Sequence, residues 1–176
     1  MASARLISVI GKKNAGKTTL VVALAKEFVR RHRRVATIKH GHHPALVDTE
    51  GKDTWRHLYE GLAERVLIES PGSRVLFERP EQESDPETLA RRYLSDADIV
   101  IVEGFKSSPL PKIEVFRKSE HPTPLFEPDR PDRQLWVAMV TDDPLVVVPF
   151  PVFGFADTSW LVNLTTVAWD RAKPLA

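Results

Sequence analysis

The stretch Gly11-Lys12-Lys13-Asn14-Ala15-Gly16-Lys17-Thr18 has the spacing G-x-x-x-x-G-K-T. That spacing builds a backbone cradle for phosphate when it follows a strand and opens a helix. Both conditions are met, by the apolar run Leu6 to Ile10 before it and a helix-forming segment from Thr19 after it. Glycine lets the chain turn and approach an anion with no side chain in the way. The amides of the loop and of the first helical turn then face phosphate oxygens, aided by the helix dipole. In this chemistry Lys17 neutralises the β- and γ-phosphates and the Thr18 hydroxyl ligates Mg²⁺. The expected nucleotide contacts are Gly11, Lys12, Lys13, Asn14, Ala15, Gly16, Lys17, Thr18 and Thr19.

A phosphate loop also needs an acid at the end of a neighbouring strand, to hold Mg²⁺ or orient water. Ile99-Val100-Ile101-Val102 is a buried-strand pattern ending in Glu103. Asp98 begins the same strand, roughly 16 Å away at about 3.3 Å per residue. Glu103 is therefore the expected metal residue with Thr18, and with Lys17 the expected catalytic pair. A further candidate cluster is Lys39-His40-Gly41-His42-His43. It follows a predicted strand, Val35 to Lys39, and the carboxyl ends of parallel strands form the ligand edge of an open sheet. Lys39, His40, His42 and His43 are candidates for a second anion or a bound cofactor. A zinc site and a plain turn are the other readings of the three histidines.

Strand, phosphate loop, helix, strand is a βαβ start, with a parallel pairing set by the crossover. The chain reads as α/β and phosphate-loop NTPase-like, a mostly parallel central sheet flanked by helices, with a β-hairpin extension at Arg65 to Phe77 around a Ser70-Pro71-Gly72-Ser73 turn. A short helix capped by Asp53 and running through Tyr59 or Glu60, a helix capped by Asp85 with Pro86 in its first turn, and a closing helix capped by Asp157 are also expected. Lys112 to Arg117 alternates charged and apolar residues, as a half-exposed strand would. Residues 121–133, with four prolines, read as a long surface loop, Leu135 to Val140 as a core strand, and Leu145 to Val148 as a short final strand.

At 176 residues, 42% hydrophobic and 28% charged, the chain suits one soluble domain over 1–176. Net charge is +1, yet residues 1–43 hold ten of the 25 Lys/Arg and one of the 24 Asp/Glu, Glu27. Positive charge is thus concentrated where an anion is expected. No recognition motif or aromatic-interleaved basic run points to nucleic acid. Absence of cysteine excludes a disulfide framework and thiolate chemistry. A strand starting at Arg5 leaves no room for a secretory signal, and no apolar run reaches the length of a membrane span. A cytoplasmic location is expected.

The phosphate loop, Ile38-Lys39-His40 with His42-His43, Gly51-Lys52-Asp53, Val100-Ile101-Val102-Glu103-Gly104-Phe105-Lys106 and Pro111-Lys112-Ile113-Glu114-Val115-Phe116-Arg117 occur in an order that resembles the MobB family. The resemblance runs from about Leu6 to Pro144. It implies a GTP- and Mg²⁺-binding accessory protein of molybdopterin-guanine dinucleotide biosynthesis with weak GTPase activity. It also implies a homodimer that assists the guanylyltransferase MobA, with molybdopterin as bound ligand or as the partner's substrate. Enzymes that precede it in molybdopterin synthesis and apo-molybdoenzymes are further partners the resemblance implies. Thr141-Asp142 lies where the family has a hydroxyl residue and Asp, so Asp142 is the expected guanine contact, although the Asn-Lys-x-Asp guanine motif is absent. Asn14-Ala15 departs from the Gly or Ser-like residues common in relatives. Thr54 to Gly61 is less basic than the corresponding family segment. Two alternatives remain on sequence alone. One is a phosphate-loop small-molecule kinase or ligase, which needs a lid of arginines such as Arg91-Arg92 or Arg130 and Arg133. The other is a non-enzymatic adapter that uses GTP as a conformational ligand.

Overall fold

β1, Arg5–Ile10, is buried along nearly all its length and organises the sheet. The computed structural model describes residues 3–41, 48–154 and 159–175. These divide into two compact units, Met1–His40 with Asp85–Ala176, and Gly41–Ser84.

In the larger unit β1 leads through the phosphate loop into α1, Lys17–Arg30, and then β2, Val35–Lys39. α3, Pro86–Tyr93, precedes β5, Ile99–Glu103, and β6, Lys112–Phe116. A 3₁₀ turn at Arg133–Leu135 enters β7, Trp136–Thr141, and β8 is Val152–Gly154. The helix α4, Trp160–Arg171, and the two-residue β9, Lys173–Pro174, complete it. The strand order is β2-β5-β1-β6-β7-β8, all parallel, with β9 antiparallel to β1 at Arg5 and Leu6. β5 lies between β1 and β2, so the crossover spans one strand. No helix of the described residues is long and apolar enough to cross a membrane.

Continuous apolar runs in β1 and β5 fit strands covered on both faces. Ile7, Val9, Ile101 and Val115 meet Leu24 and Phe28 of α1 and Leu164 and Ala168 of α4 on one face. Leu6, Val100, Val102 and Leu110 pack with Ala90 of α3 on the other. α3 starts as its sequence predicts: the Asp85 carboxylate accepts the N–H groups of Glu87 and Thr88, and Pro86 occupies the first turn. For α4 the N-cap is Ser159, and Asp157 lies outside the described residues.

The basic residues at the end of α1 and just beyond it are tied to the fold. Buried Glu27 accepts Arg30 Nε at 2.7 Å and Arg31 Nε at 2.9 Å, and Arg31 reaches Val162 O and Thr166 Oγ1 on α4. Arg33 and Arg5 both lie over the Trp169 ring, at 4.1 and 5.0 Å. Hydrogen bonds from Arg30 and Arg31 hold the Glu27 carboxyl down to about 2. A depressed carboxylate stabilises the fold above its ordinary titration range and loses that contribution as pH falls through the folded value. Glu27→Gln is therefore expected to lower the urea midpoint clearly at pH 6. Its deficit against wild type shrinks as pH falls from 4.5 towards 2.

Two readings of the sequence are corrected here. β6 is not half-exposed: all five residues are buried between β1 and β7. Its charged side chains find partners inside. Lys112 Nζ donates to Ser108 O and Leu110 O and sits 5.5 Å from the Trp136 ring, and burial lowers its pKa. Glu114 accepts the N–H groups of Leu125 and Phe126 and Trp136 Nε1. Burial pushes the Glu114 carboxyl up against the pull of those three donors. Phe126 is accordingly buried, and this part of the proline-rich segment is anchored rather than free. The final parallel strand is β8, not Leu145 to Val148, where Leu145 and Val147 are almost fully exposed.

In the smaller unit α2, Asp53–Tyr59, begins at an N-cap Lys52 with no side-chain cap, so Asp53 is its first residue rather than its cap. β3, Arg65–Ser70, and β4, Ser73–Glu78, form the expected hairpin, in register from Arg65 opposite Glu78 to Ser70 opposite Ser73. Leu67 and Leu76 stay exposed on this two-stranded sheet.

Candidate functional site

Gly11 leaves β1 against β6: a Cβ there would lie 2.5 Å from Val115 O, so only glycine fits without a backbone shift. Gly16 closes the loop at φ 96° as the residue before α1, a left-handed conformation that suits glycine. The first helical bond of α1 is from Leu20 N to Gly16 O, and no side chain caps the helix. The amides of Lys17, Thr18 and Thr19 thus open this end of the helix, where the dipole favours an anion.

Lys17 Nζ folds back to Lys12 O at 2.8 Å. Burial lowers its pKa, as do the charges of Lys106 and Lys39, while Glu103 opposes the shift. Several cations therefore surround one small volume. Thr18 Oγ1 donates to Glu103 Oε1 at 2.8 Å, and Lys39 Nζ lies 3.5 Å from the same oxygen. The register explains this meeting, since Glu103 pairs with Val9 on β1 and with Lys39 on β2. Three strand ends deliver the loop, the acid and the lysine to one edge of the sheet.

His40 donates its backbone N–H to Glu103 O, and its ring stacks on Phe105 at 4.5 Å between centroids. Phe105 is held at φ 48°, an unusual conformation for a large residue. His42 and His43 lie outside the described residues, and among the described residues no group of three or more His, Asp or Glu could hold a metal. Asp142 directly follows β7, and its carboxylate accepts Lys118 N at 2.6 Å and Ser119 Oγ at 3.0 Å. Burial alone would push this carboxyl up, but those donors outweigh it and hold it below the ordinary range. Asp142 therefore shapes the turn after β6 as well as standing at the ligand edge.

Sequence reasoning missed a strap across the phosphate loop. Lys12 Nζ donates to Thr123 O at 2.7 Å and to Thr123 Oγ1 at 3.1 Å, and His121 Nε2 lies 2.6 Å from Lys13 O. Glu114 holds the following residues, Leu125 and Phe126, to β6. No local signal marks these long-range partners. Lys106 was also missed, although it closes the Val-Glu-Gly-Phe-Lys block that the sequence singles out.

The family model of MobB, molybdopterin guanine dinucleotide synthesis protein B, matches residues 6–142. The molybdopterin-guanine dinucleotide biosynthesis adapter protein of Haemophilus influenzae is 38% identical over 143 residues, 81% of this chain and 77% of that protein. Its counterpart in Escherichia coli is 35% identical over 114 residues, 64% of this chain and 65% of the relative. The crystal structure of a MobB protein homolog from Bacillus stearothermophilus superposes with a TM-score of 0.62 at 26% identity, covering 92% of this chain and 97% of that one.

Proposed function

Since the chain belongs to the MobB family, we propose that it is a nucleotide-dependent adapter in molybdopterin-guanine dinucleotide synthesis, binding GTP with Mg²⁺ in the Gly11–Thr18 loop. The observation that carries this reading is the meeting of Lys17, Thr18, Lys39 and Glu103 at one sheet edge. Uncapped amides and an excess of lysine charge suit a triphosphate. The Thr18 hydroxyl and the Glu103 carboxylate are hard oxygen donors of the kind Mg²⁺ takes. Mg²⁺, when bound, neutralises charge on the β- and γ-phosphates. Lys17 would exchange the Lys12 carbonyl for phosphate oxygens, and the loop amides would hold the chain of phosphates in line.

Hydrolysis by this site is slow on our reading. Glu103 is committed to Thr18 and Lys39, which suits holding a metal better than drawing a proton from water. Arg130 pairs with Asp132, and Arg133 donates to Pro128 O. Two of the arginines that a kinase lid would use are thus engaged locally, which favours the adapter.

Family membership also bears on assembly. We propose a homodimer that engages the guanylyltransferase, with molybdopterin's phosphate received near Lys39, His40 and the adjoining His42 and His43. β6 cannot supply the dimer surface, because it is interior. The β3–β4 hairpin is the better candidate, as a lone two-stranded sheet with exposed leucines is marginal in water.

Glu103→Gln tests the metal assignment, since it keeps an acceptor for Thr18 while removing the charge. Calorimetric titration is expected to show Mg²⁺-dependent GTP affinity falling by about 10- to 100-fold, with metal-free binding nearly unchanged. Equal Mg²⁺ dependence in both proteins would move the metal away from Glu103.

A further inference from the structure

Beside the phosphate loop a cleft of about 210 Å³ opens between α1, the ends of β6 and β7, and the start of α4. Ala15 and Gly16 line it, so it is continuous with the anion site. Its volume is below the roughly 300 Å³ at which pockets for whole ligands begin. It suits one fused ring system rather than a complete nucleoside. Ala23, Val115 and Val140 make smooth, small walls, and the half-buried Trp160 offers an indole face. Flat aromatic rings stack well on such a face.

Among the described residues Arg117 is the charged group that lines this cleft, and its side chain has no hydrogen-bond or ion-pair partner there. A guanidinium only donates, through five N–H groups in a fixed fork. Guanine presents two adjacent acceptors, O6 and N7, whereas adenine presents N7 beside an amino donor. Arginine therefore pairs bidentately with the guanine edge and meets a donor on adenine. Asp142, the residue that sequence reasoning assigned to the base, already accepts Lys118 and Ser119.

We propose that this cleft receives the guanine ring, with Arg117 as the residue that selects guanine over adenine and Trp160 as its stacking surface. The assignment rests on the reading of the loop as a triphosphate site. It places specificity at the end of β6, one strand nearer to β1 than Asp142.

The test compares Mg²⁺-GTP, Mg²⁺-ATP and Mg²⁺-tripolyphosphate by calorimetry in wild type, Arg117→Ala and Ala23→Phe. Arg117→Ala is expected to weaken GTP by about ten- to hundredfold, the range of one bidentate base contact, and to bring it near ATP. Ala23→Phe fills the cleft and weakens both nucleotides, with the fold checked by circular dichroism. Tripolyphosphate binds all three proteins alike. An unchanged GTP to ATP ratio in Arg117→Ala, or wild-type GTP affinity in Ala23→Phe, overturns the cleft assignment while leaving the phosphate site standing. Wild type that binds neither GTP nor tripolyphosphate overturns both.

Discussion

Glu114→Ala is expected to destabilise the protein by about 3–5 kcal/mol: three orphaned donors at about 1–3 kcal/mol each cost about 3–9 kcal/mol together, and relief of the desolvation that burial imposes on the Glu114 carboxylate offsets part of that. Those donors are the amides of Leu125 and Phe126 and the Trp136 indole N–H. Total stability of a domain is only about 5–15 kcal/mol, so the loss is a large share of it. Urea unfolding at neutral pH measures the effect. Glu114→Gln keeps one carbonyl acceptor and loses less, which provides a folded comparison should the alanine variant not fold. The consequence reaches the site, since the segment anchored by Glu114 continues from the residues that hold Lys12 and Lys13. A loss below about 1 kcal/mol for the alanine variant, the net worth of one ordinary hydrogen bond, would show that Glu114 does not secure this segment.

The parts of the candidate site that depend on spacing are legible in the sequence, and the structure brings Thr18, Lys39 and Glu103 together. Gly11 to Thr18 carries its own chemistry, and Glu103 is marked by being the acid that ends an apolar strand. The opposite end assigned to Asp98 also holds, where it accepts Arg34 N and Arg34 Nη2. β6 was misread because Lys-Ile-Glu-Val-Phe alternates in the way a half-exposed strand does. Nothing local reveals that Lys112 and Glu114 are satisfied by Ser108 and Leu110 on one side and by Leu125, Phe126 and Trp136 on the other. Leu145 to Val148 has strand-forming residues, yet Leu145 and Val147 point to solvent and the pairing with β7 begins at Val152. The cleft between Arg117 and Trp160 joins two distant segments, and only the parallel order of β6 and β7 with α4 above them brings those together.

The central claim is that the Gly11–Thr18 loop binds a nucleoside triphosphate through Lys17. Its ammonium is partly desolvated and stands among Lys106, Lys39 and Glu103, and among the described residues it donates to the Lys12 carbonyl alone. An incoming phosphate chain would replace that neutral acceptor with charged oxygens. Charge-assisted hydrogen bonds of this kind contribute about 1.5–3 kcal/mol each. Calorimetric titration of Mg²⁺-GTP into wild type and Lys17→Ala tests the claim most directly. The predicted result is saturable binding to wild type and an affinity lower by about 10- to 150-fold in the variant, from that energy at 1.4 kcal/mol per tenfold. Equal affinities for the two proteins would contradict it.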